Sequence, residues 1–129
     1  MKVERFEDIK AWQEARSLVK LVYAAVKDNV GFRRDFRLVS QVQAAAVSCM
    51  ANISEGFSRQ GDKEFIQFLF IAKSSAAEVQ SHLYVALDQG YLSEQGFRQI
   101  YQQADRVSKI ASGLIKYLKK PHSPTQQTQ

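Results

Sequence analysis

The sequence predicts an all-α protein, an antiparallel up-down-up-down four-helix bundle formed by residues 1–120. Its 129 residues suffice for one domain with its own core. Both prolines lie at the C-terminal end, so the first 120 residues contain no helix breaker of that kind. Apolar residues recur at spacings of three and four in four blocks, and no segment alternates as a strand does. Short polar loops between the blocks make consecutive helices antiparallel neighbours.

The first two predicted helices cover residues 7–29 and 35–58. Asn29 and Gly31 separate them, because both residue types favour a break in a helix. The apolar face of the first helix is formed by Ile9, Trp12, Val19, Val22, Tyr23 and Val26. That of the second is formed by Val39, Val42, Ala46, Cys49, Met50, Ile53 and Phe57.

The last two predicted helices cover residues 62–89 and 93–120. Asp62 and Ser93 are the expected N-caps, and Gly90 is the expected stop between the two helices. Pro121 ends the last helix. Residues 121–129 are polar and low in complexity, so we expect a disordered C-terminal tail.

Composition restricts the class of protein. The first 25 residues carry four acidic side chains and no apolar core segment, and no run of 18 apolar residues occurs, so neither a signal peptide nor a membrane partner is expected. A single cysteine, Cys49, allows no internal disulfide, and a cytoplasmic protein is predicted. No phosphate-binding or dinucleotide motif is present, and no cofactor is expected.

Apolar residues exceed what a lone bundle needs. The stretch "LVKLVYAAV" spreads Leu18, Leu21 and Val22 around the first helix, and "FIQFLFIA" makes the third apolar on nearly all sides. Surplus apolar surface marks an interface. We therefore expect a homo-oligomer.

The stretch "SCMANISEGFSR" places a polar stripe beside the apolar face of the second helix. Ser48, Asn52, Glu55 and Arg59 follow at spacings of four, three and four. Paired positions in the following hairpin should sum to roughly 120, which puts Glu55 against the first turn of the third helix, where a carboxylate is stabilised. This stripe and its counterpart on the third helix predict a structural polar network of Asn52, Glu55, Ser75 and Glu78.

Catalytic and metal sites are not predicted. The hairpin register keeps Glu55 and Glu78 too far apart to act as an acid/base pair. A di-iron bundle needs Glu-x-x-His on two helices, whereas this chain has Glu78 and His82 four residues apart, once. We expect no enzyme activity.

Basic residues form the remaining pattern. Residues 98–129 hold six basic groups and one acidic group, and the whole chain has a net charge of +5. Five of the six basic groups follow at helical spacing and form one face about 33 Å long. A nucleic-acid backbone is the expected ligand, and a solvated surface is the alternative. The candidate nucleic-acid-binding residues are Arg98, Arg106, Lys109, Lys116 and Lys120 on the last helix, with Arg33, Arg34 and Arg37 on the loop before the second.

Four stretches together resemble the 23S rRNA intervening-sequence proteins, a bacterial family of four-helix bundles. They are "FEDIKAWQEARSLVKLVYAAV", "QVQAAAVSCMANISEGFSR", "EFIQFLFIAKSSAAEVQSHLYVALDQGYL" and "IASGLIKYL". Ser54 stands where the family's Asn-Ile-Ala-Glu-Gly pattern has Ala. The resemblance implies a homopentamer without enzyme activity. It also relates the chain to the accessory variability proteins of diversity-generating retroelements, which bind nucleic acid and a reverse transcriptase.

Two functions are therefore expected. The first is a non-enzymatic oligomeric scaffold that binds RNA or DNA backbone through its basic faces. The alternative is a protein–protein interaction adaptor without nucleic-acid binding, whose partner is a reverse transcriptase or another protein.

Overall fold

The computed structural model of the chain describes residues 3–121, which contain four long helices and no strand. A 3-10 turn at Phe6–Asp8 precedes them. The α-helices are α1 (Lys10–Asp28), α2 (Val30–Arg34), α3 (Phe36–Ser58), α4 (Asp62–Asp88) and α5 (Glu94–Lys119). The all-α four-helix bundle is thus confirmed, with α2 as a short addition. Of the predicted tail, residues 122–129 lie outside the described residues.

The four long helices enclose one apolar core. α3 packs on α4, α4 on α5, and α1 completes the bundle against both α3 and α5. Large buried side chains such as Leu18, Ile53, Leu69 and Leu83 fill the centre. Alanines lie between them and let the helices approach closely. The fully buried alanines are Ala11, Ala15, Ala46, Ala72, Ala76, Ala86, Ala104 and Ala111. Among residues 3–121, no helix has the length and apolarity needed to cross a membrane.

The turn between α4 and α5 forms as expected. Gly90 has φ 77°, a left-handed conformation that favours glycine. The Tyr91 N–H donates to the Ala86 carbonyl (2.9 Å) and the Gly90 N–H to that of Leu87 (3.0 Å), which is a Schellman motif. Ser93 then caps α5 by accepting from the Gly96 N–H (3.0 Å). These side-chain and backbone bonds fix where α5 begins.

The start of α4 differs from the prediction. Gly61, rather than Asp62, is the N-cap, with extended backbone at φ −148° and ψ 145°. Asp62 is the first helical residue, where its carboxylate still lies favourably near the positive end of the helix dipole. Asp62 therefore stabilises the start of α4 as the first residue of the helix and not as its N-cap.

Residues 29–35 form an ordered corner instead of the expected loop. Asn29 accepts from the Phe32 N–H (2.8 Å) and caps α2, and Asp35 accepts from the Leu38 N–H (3.1 Å) and caps α3. The buried ring of Phe32 stacks on Tyr91 with 5.3 Å between centroids. As a correction to the expected loop positions, Arg33 and Arg34 lie in α2, and Arg37 lies in the first turn of α3.

Most of the surplus apolar surface lies on α4, whereas on α1 Tyr23 is the one large hydrophobic residue that is exposed in the described chain. Leu18 and Val22 of α1 are core residues. The apolar residues of α1 spread widely around the helix because α1 packs against both α3 and α5. On α4, by contrast, Phe70, Ile71, Tyr84 and Val85 are exposed. We refer to these four residues as the α4 apolar face.

Gly56 marks a very close approach of α3 to α4. A Cβ atom at this position would lie 2.6 Å from the Cβ of Phe68 and 3.0 Å from the ring of Phe65. Real Cβ atoms do not tolerate such contacts with the core of a neighbouring side chain. Only glycine therefore allows this packing of the hairpin.

We expect Gly56→Ala to lower the free energy of unfolding by about 1–3 kcal/mol, because the added methyl group overpacks the α3–α4 contact. Gly113→Ala is the matched control, since nothing lies within 4 Å of a Cβ atom at that helical position. It should raise stability by about 0.5–1 kcal/mol. Chemical denaturation of both variants measures the difference, and equal stabilities would contradict the packing role of Gly56.

Candidate functional site

The candidate basic residues of the last helix lie on the exposed side of α5, and the last of them, Lys120, is the C-cap residue that follows it. The opposite side is buried through Ile100, Ala104, Val107 and Ala111, at spacings of four, three and four. This amphipathic pattern fixes the rotation of the helix, so the cations face outward. We call this set the α5 basic face, and its residues are Arg98, Arg106, Lys109, Lys116 and Lys120.

Two of these cations line a cleft of about 360 Å³ between α1 and α5. Arg98 and Arg106 lie two helical turns apart on its α5 side, and Leu21 forms its apolar α1 side. Four glutamines complete the lining, namely Gln95, Gln99, Gln102 and Gln103. Guanidinium and amide groups are the donors that phosphate oxygens accept from, so the cleft suits an anionic, hydrogen-bonding ligand.

Acidic side chains compensate only part of this charge. Glu14 of α1 lies 3.9 Å from Arg106, and Asp105 lies 3.0 Å from Lys109. Hydrogen bonds from the Gln103 amide and the Lys10 ammonium hold the pKa of the Glu14 carboxyl below its ordinary value, so Glu14 is ionised at neutral pH. Within residues 3–121, Arg98, Lys116 and Lys120 have no ion-pair partner. These three are the cations most available to a ligand.

The second basic group lies at one end of the bundle. Arg33 donates to the Lys27 carbonyl, whereas Arg34 and Arg37 are exposed and have no ion-pair partner among the described residues. Tyr91, which contacts this corner, precedes the start of α5. The group is therefore near the N-terminal end of α5, and a helix of 26 residues, about 39 Å, separates it from Lys120.

A polar network crosses the α3–α4 contact, as the sequence predicted for Asn52 and Ser75. The hydroxyls of Ser48 and Ser75 share a hydrogen bond of 2.9 Å. The Asn52 amide donates to the Ser48 carbonyl (2.8 Å) and hydroxyl (3.0 Å). Ser75 is only 7% exposed, so this bond is shielded from water. Ser48 was missing from the predicted network, although its spacing of four from Asn52 on the polar stripe could have identified it.

Glu55 and Glu78 lie outside this network, which corrects the prediction. Glu55 is exposed and pairs with Arg59 of its own helix (3.2 Å). Glu78 is likewise exposed and pairs with His82 (3.3 Å). The expected contact of Glu55 with α4 fails because the next residue, Gly56, occupies the contact, and one residue of helical rotation turns Glu55 outward.

The fold and these surfaces define the chain as a small all-α four-helix bundle protein with a basic helix face. A family model described as 23S rRNA-intervening sequence protein matches residues 7–113, and the chain belongs to this family. The resemblance seen in the sequence is thereby confirmed at the level of the family.

A solved structure shares the fold. It is the crystal structure of a protein of unknown function from the S23 ribosomal protein family from Bacteroides thetaiotaomicron VPI-5482. The similarity has a TM-score of 0.76 and 22% sequence identity, and covers 82% of this chain and 98% of that chain. At this identity the comparison supports the fold alone. No curated protein matches the chain.

We expect Asn52→Ala and Ser75→Ala each to lower the free energy of unfolding by about 0.5–1.5 kcal/mol, the net contribution of one hydrogen bond to stability. Glu55→Ala is the matched control, because its exposed ion pair is screened and the change should stay within about 0.5 kcal/mol. Urea denaturation measures all three. If Glu55→Ala proves the most destabilising, the network assigned to Ser48, Asn52 and Ser75 is wrong.

Proposed function

We propose that the chain is a non-enzymatic oligomeric scaffold that binds the backbone of RNA or DNA through the α5 basic face. The observation that carries this proposal is the concentration of five exposed cations on one helix face, three of them without an acidic partner in the described residues. The family description refers to 23S rRNA but states no ligand, so the proposal rests on the basic face. A cytoplasmic location, as expected from the sequence, is part of the proposal.

Binding would rest on phosphate contacts. Each phosphate neutralised by Lys or Arg releases condensed counterions, so affinity falls steeply as salt rises. The face extends for about 33 Å, which is close to one turn of duplex nucleic acid. Phosphate contacts position a nucleic acid without reading its sequence, so weak sequence preference is part of the proposal.

The absence of catalysis is also a proposal, supported by the placement of the two candidate carboxylates. Glu55 and Glu78 are exposed; Glu55 forms an ion pair with Arg59, and Glu78 lies within hydrogen-bond distance of His82, in each case one turn away on the same helix. Neither carboxylate lines the cleft between α1 and α5. General acid–base catalysis needs a bound substrate within hydrogen-bond reach of the carboxylate, so this placement favours the absence of catalysis.

We further propose that the α4 apolar face is a seam between copies of this chain, in a homopentamer of the kind that the family resemblance implies. A pentamer would carry a net charge of +25, five times that of one chain. It would also present five basic faces, and one strand that reaches several of them gains avidity. Oligomerisation would thereby convert weak phosphate contacts into stable binding.

One observation favours the alternative function, a protein adaptor without nucleic-acid binding. Phe70, Ile71, Tyr84 and Val85 on α4 are as suited to a different protein as to a second copy. A polymerase such as a reverse transcriptase is the partner that the resemblance to accessory variability proteins implies. Under this alternative, the α5 basic face would only keep the protein in solution.

We expect the double variant Arg98→Ala/Lys116→Ala to bind RNA and DNA fragments more weakly and with a flatter salt dependence. The log–log slope should fall in magnitude by about 0.9 for each duplex phosphate that the variant no longer neutralises. Lys20→Ala/Lys63→Ala removes the same charge from exposed positions of α1 and α4 and is the control. Fluorescence anisotropy at several salt concentrations measures both, and identical behaviour of the two variants would contradict a role of the α5 basic face.

We expect Phe70→Glu to dissociate the oligomer, because it places a charge in the proposed seam. The monomer should remain folded, since the ammonium groups of Lys73 and Lys119 lie 5.6 and 5.4 Å from the Phe70 ring centroid and would accommodate a carboxylate. Val30→Glu, at an exposed apolar residue of α2, is the control. Light scattering gives the masses, and a monomeric parent protein at micromolar concentration would exclude the seam.

A further inference from the structure

Phe36 is an aromatic side chain that the bundle does not use. Its 79% exposure is the highest among the large exposed hydrophobic residues of the described chain. It forms no ring pair and no cation–π contact within residues 3–121, unlike Phe70, which lies between two lysines. A phenylalanine ring left in water forgoes the stabilisation that burial would give it. Packing within the chain therefore gives no account of this residue.

The corner that carries Phe36 is rigid. Asp35 precedes it and accepts hydrogen bonds from the Leu38 N–H and from the Tyr91 hydroxyl (3.0 Å). The hydrogen bond to Asp35 raises the pKa of Tyr91, which therefore stays protonated and keeps donating at neutral pH. Phe32 stacks on the same tyrosine. Contacts with α2, α3 and the α4–α5 turn thus hold the backbone at Phe36 in place, although its ring is exposed.

The surroundings of Phe36 are basic. Residues 27–37 contain four basic side chains, Lys27, Arg33, Arg34 and Arg37, against the two acids Asp28 and Asp35. Asp35 is occupied by its two internal hydrogen bonds. Arg34 and Arg37, two residues before the ring and one after it, are exposed and unpaired within the described chain. An exposed aromatic ring with available guanidinium groups next to it in the sequence complements a ligand that has both a flat ring and negative charge.

We infer that the Phe36 corner, meaning Arg34, Phe36 and Arg37, binds a single-stranded segment of nucleic acid. This inference rests on the proposed nucleic-acid function and adds both a second contact and the strandedness of the ligand. The Phe36 ring stacks on an unpaired base, and Arg34 and Arg37 contact the flanking phosphates. Bases inside a duplex are already stacked on one another and offer no free face to a side chain. The corner therefore selects single strands, loops or ends, whereas the α5 basic face needs only phosphates.

The test compares Phe36→Ala and Phe36→Trp with the parent protein. The control is Val30→Ala, an exposed aliphatic residue of the same corner. The probes are a twelve-nucleotide oligouridine and an RNA duplex of equal length, measured by fluorescence anisotropy over a salt series. Thermal unfolding followed by circular dichroism establishes that each variant is folded.

We expect Phe36→Ala to weaken oligouridine binding by about 5- to 150-fold, the equivalent of the ~1–3 kcal/mol that one base–aromatic stack contributes. The salt slope should not change, because no charge is removed. Duplex affinity should also stay at the parent value. Phe36→Trp should retain single-strand affinity, and its indole fluorescence should be quenched by the bound strand.

Failure of this inference is distinguishable from failure of the α5 proposal. Suppose that Phe36→Ala binds oligouridine as the parent does, while Arg98→Ala/Lys116→Ala binds it weakly. The proposed stacking on Phe36 is then wrong, and the proposed binding by the α5 basic face is supported. If Phe36→Ala weakens single strand and duplex equally, stacking is also wrong. If Phe36→Ala loses single-strand binding and the α5 double variant binds as the parent does, the result supports binding at the Phe36 corner and contradicts binding by the α5 basic face.

Discussion

The close approach of α3 to α4 is the constraint on which the rest of the structure depends. Gly56 permits it, because any side chain at this position would collide with Phe68. Two helical turns further along, the Ser48 and Ser75 hydroxyls meet at 2.9 Å. Small residues at both points set the rotation of each helix within the hairpin. α4 then presents Tyr84, which packs against Phe97 and Tyr101 and so positions α5.

This constraint sorts the polar and charged residues into internal and external groups. Ser48, Asn52 and Ser75 lie between α3 and α4, where their hydrogen bonds are satisfied locally. Glu55 and Glu78 lie one or more residues away in helical rotation and reach solvent. The same logic applies to α5, whose buried face leaves its cations outside. The proposed function is thus a consequence of helix rotation, since the surface that remains after packing is basic on α5 and apolar on α4.

Local chemistry made most of the fold predictable, and tertiary contacts account for the rest. Periodicity gave the long helices, and Ser93 and Gly90 mark helix ends through bonds to nearby backbone. The predicted pairing of α3 with α4, in which paired residue numbers sum to roughly 120, was also close to the observed one, since Ser48 lies opposite Ser75. Periodicity could not show α2, because five residues are too short to display it. The exposed position of Glu55 escaped prediction because it depends on which neighbouring residue takes the contact with α4.

The candidate nucleic-acid site was likewise predictable in part from the sequence. Helical spacing was sufficient to group the cations of α5, but the Glu14 carboxylate beside Arg106 comes from α1, across the bundle. The cleft between α1 and α5 is likewise a property of two packed helices. In the sequence, Phe36 is an ordinary residue at a helix start, and only its exposure in the folded chain distinguishes it.

The central claim is that nucleic acid contacts this protein on α5. Ultraviolet cross-linking of a bound RNA containing thiouridine, followed by mass spectrometry of the digested protein, tests it most directly because it reports the contacted peptides of the unmodified chain. The account predicts cross-links within residues 94–120, with additional ones at residues 34–37 when the RNA is single-stranded, and none on α4. Cross-links confined to α4, or none at a salt concentration low enough for full binding, would contradict it.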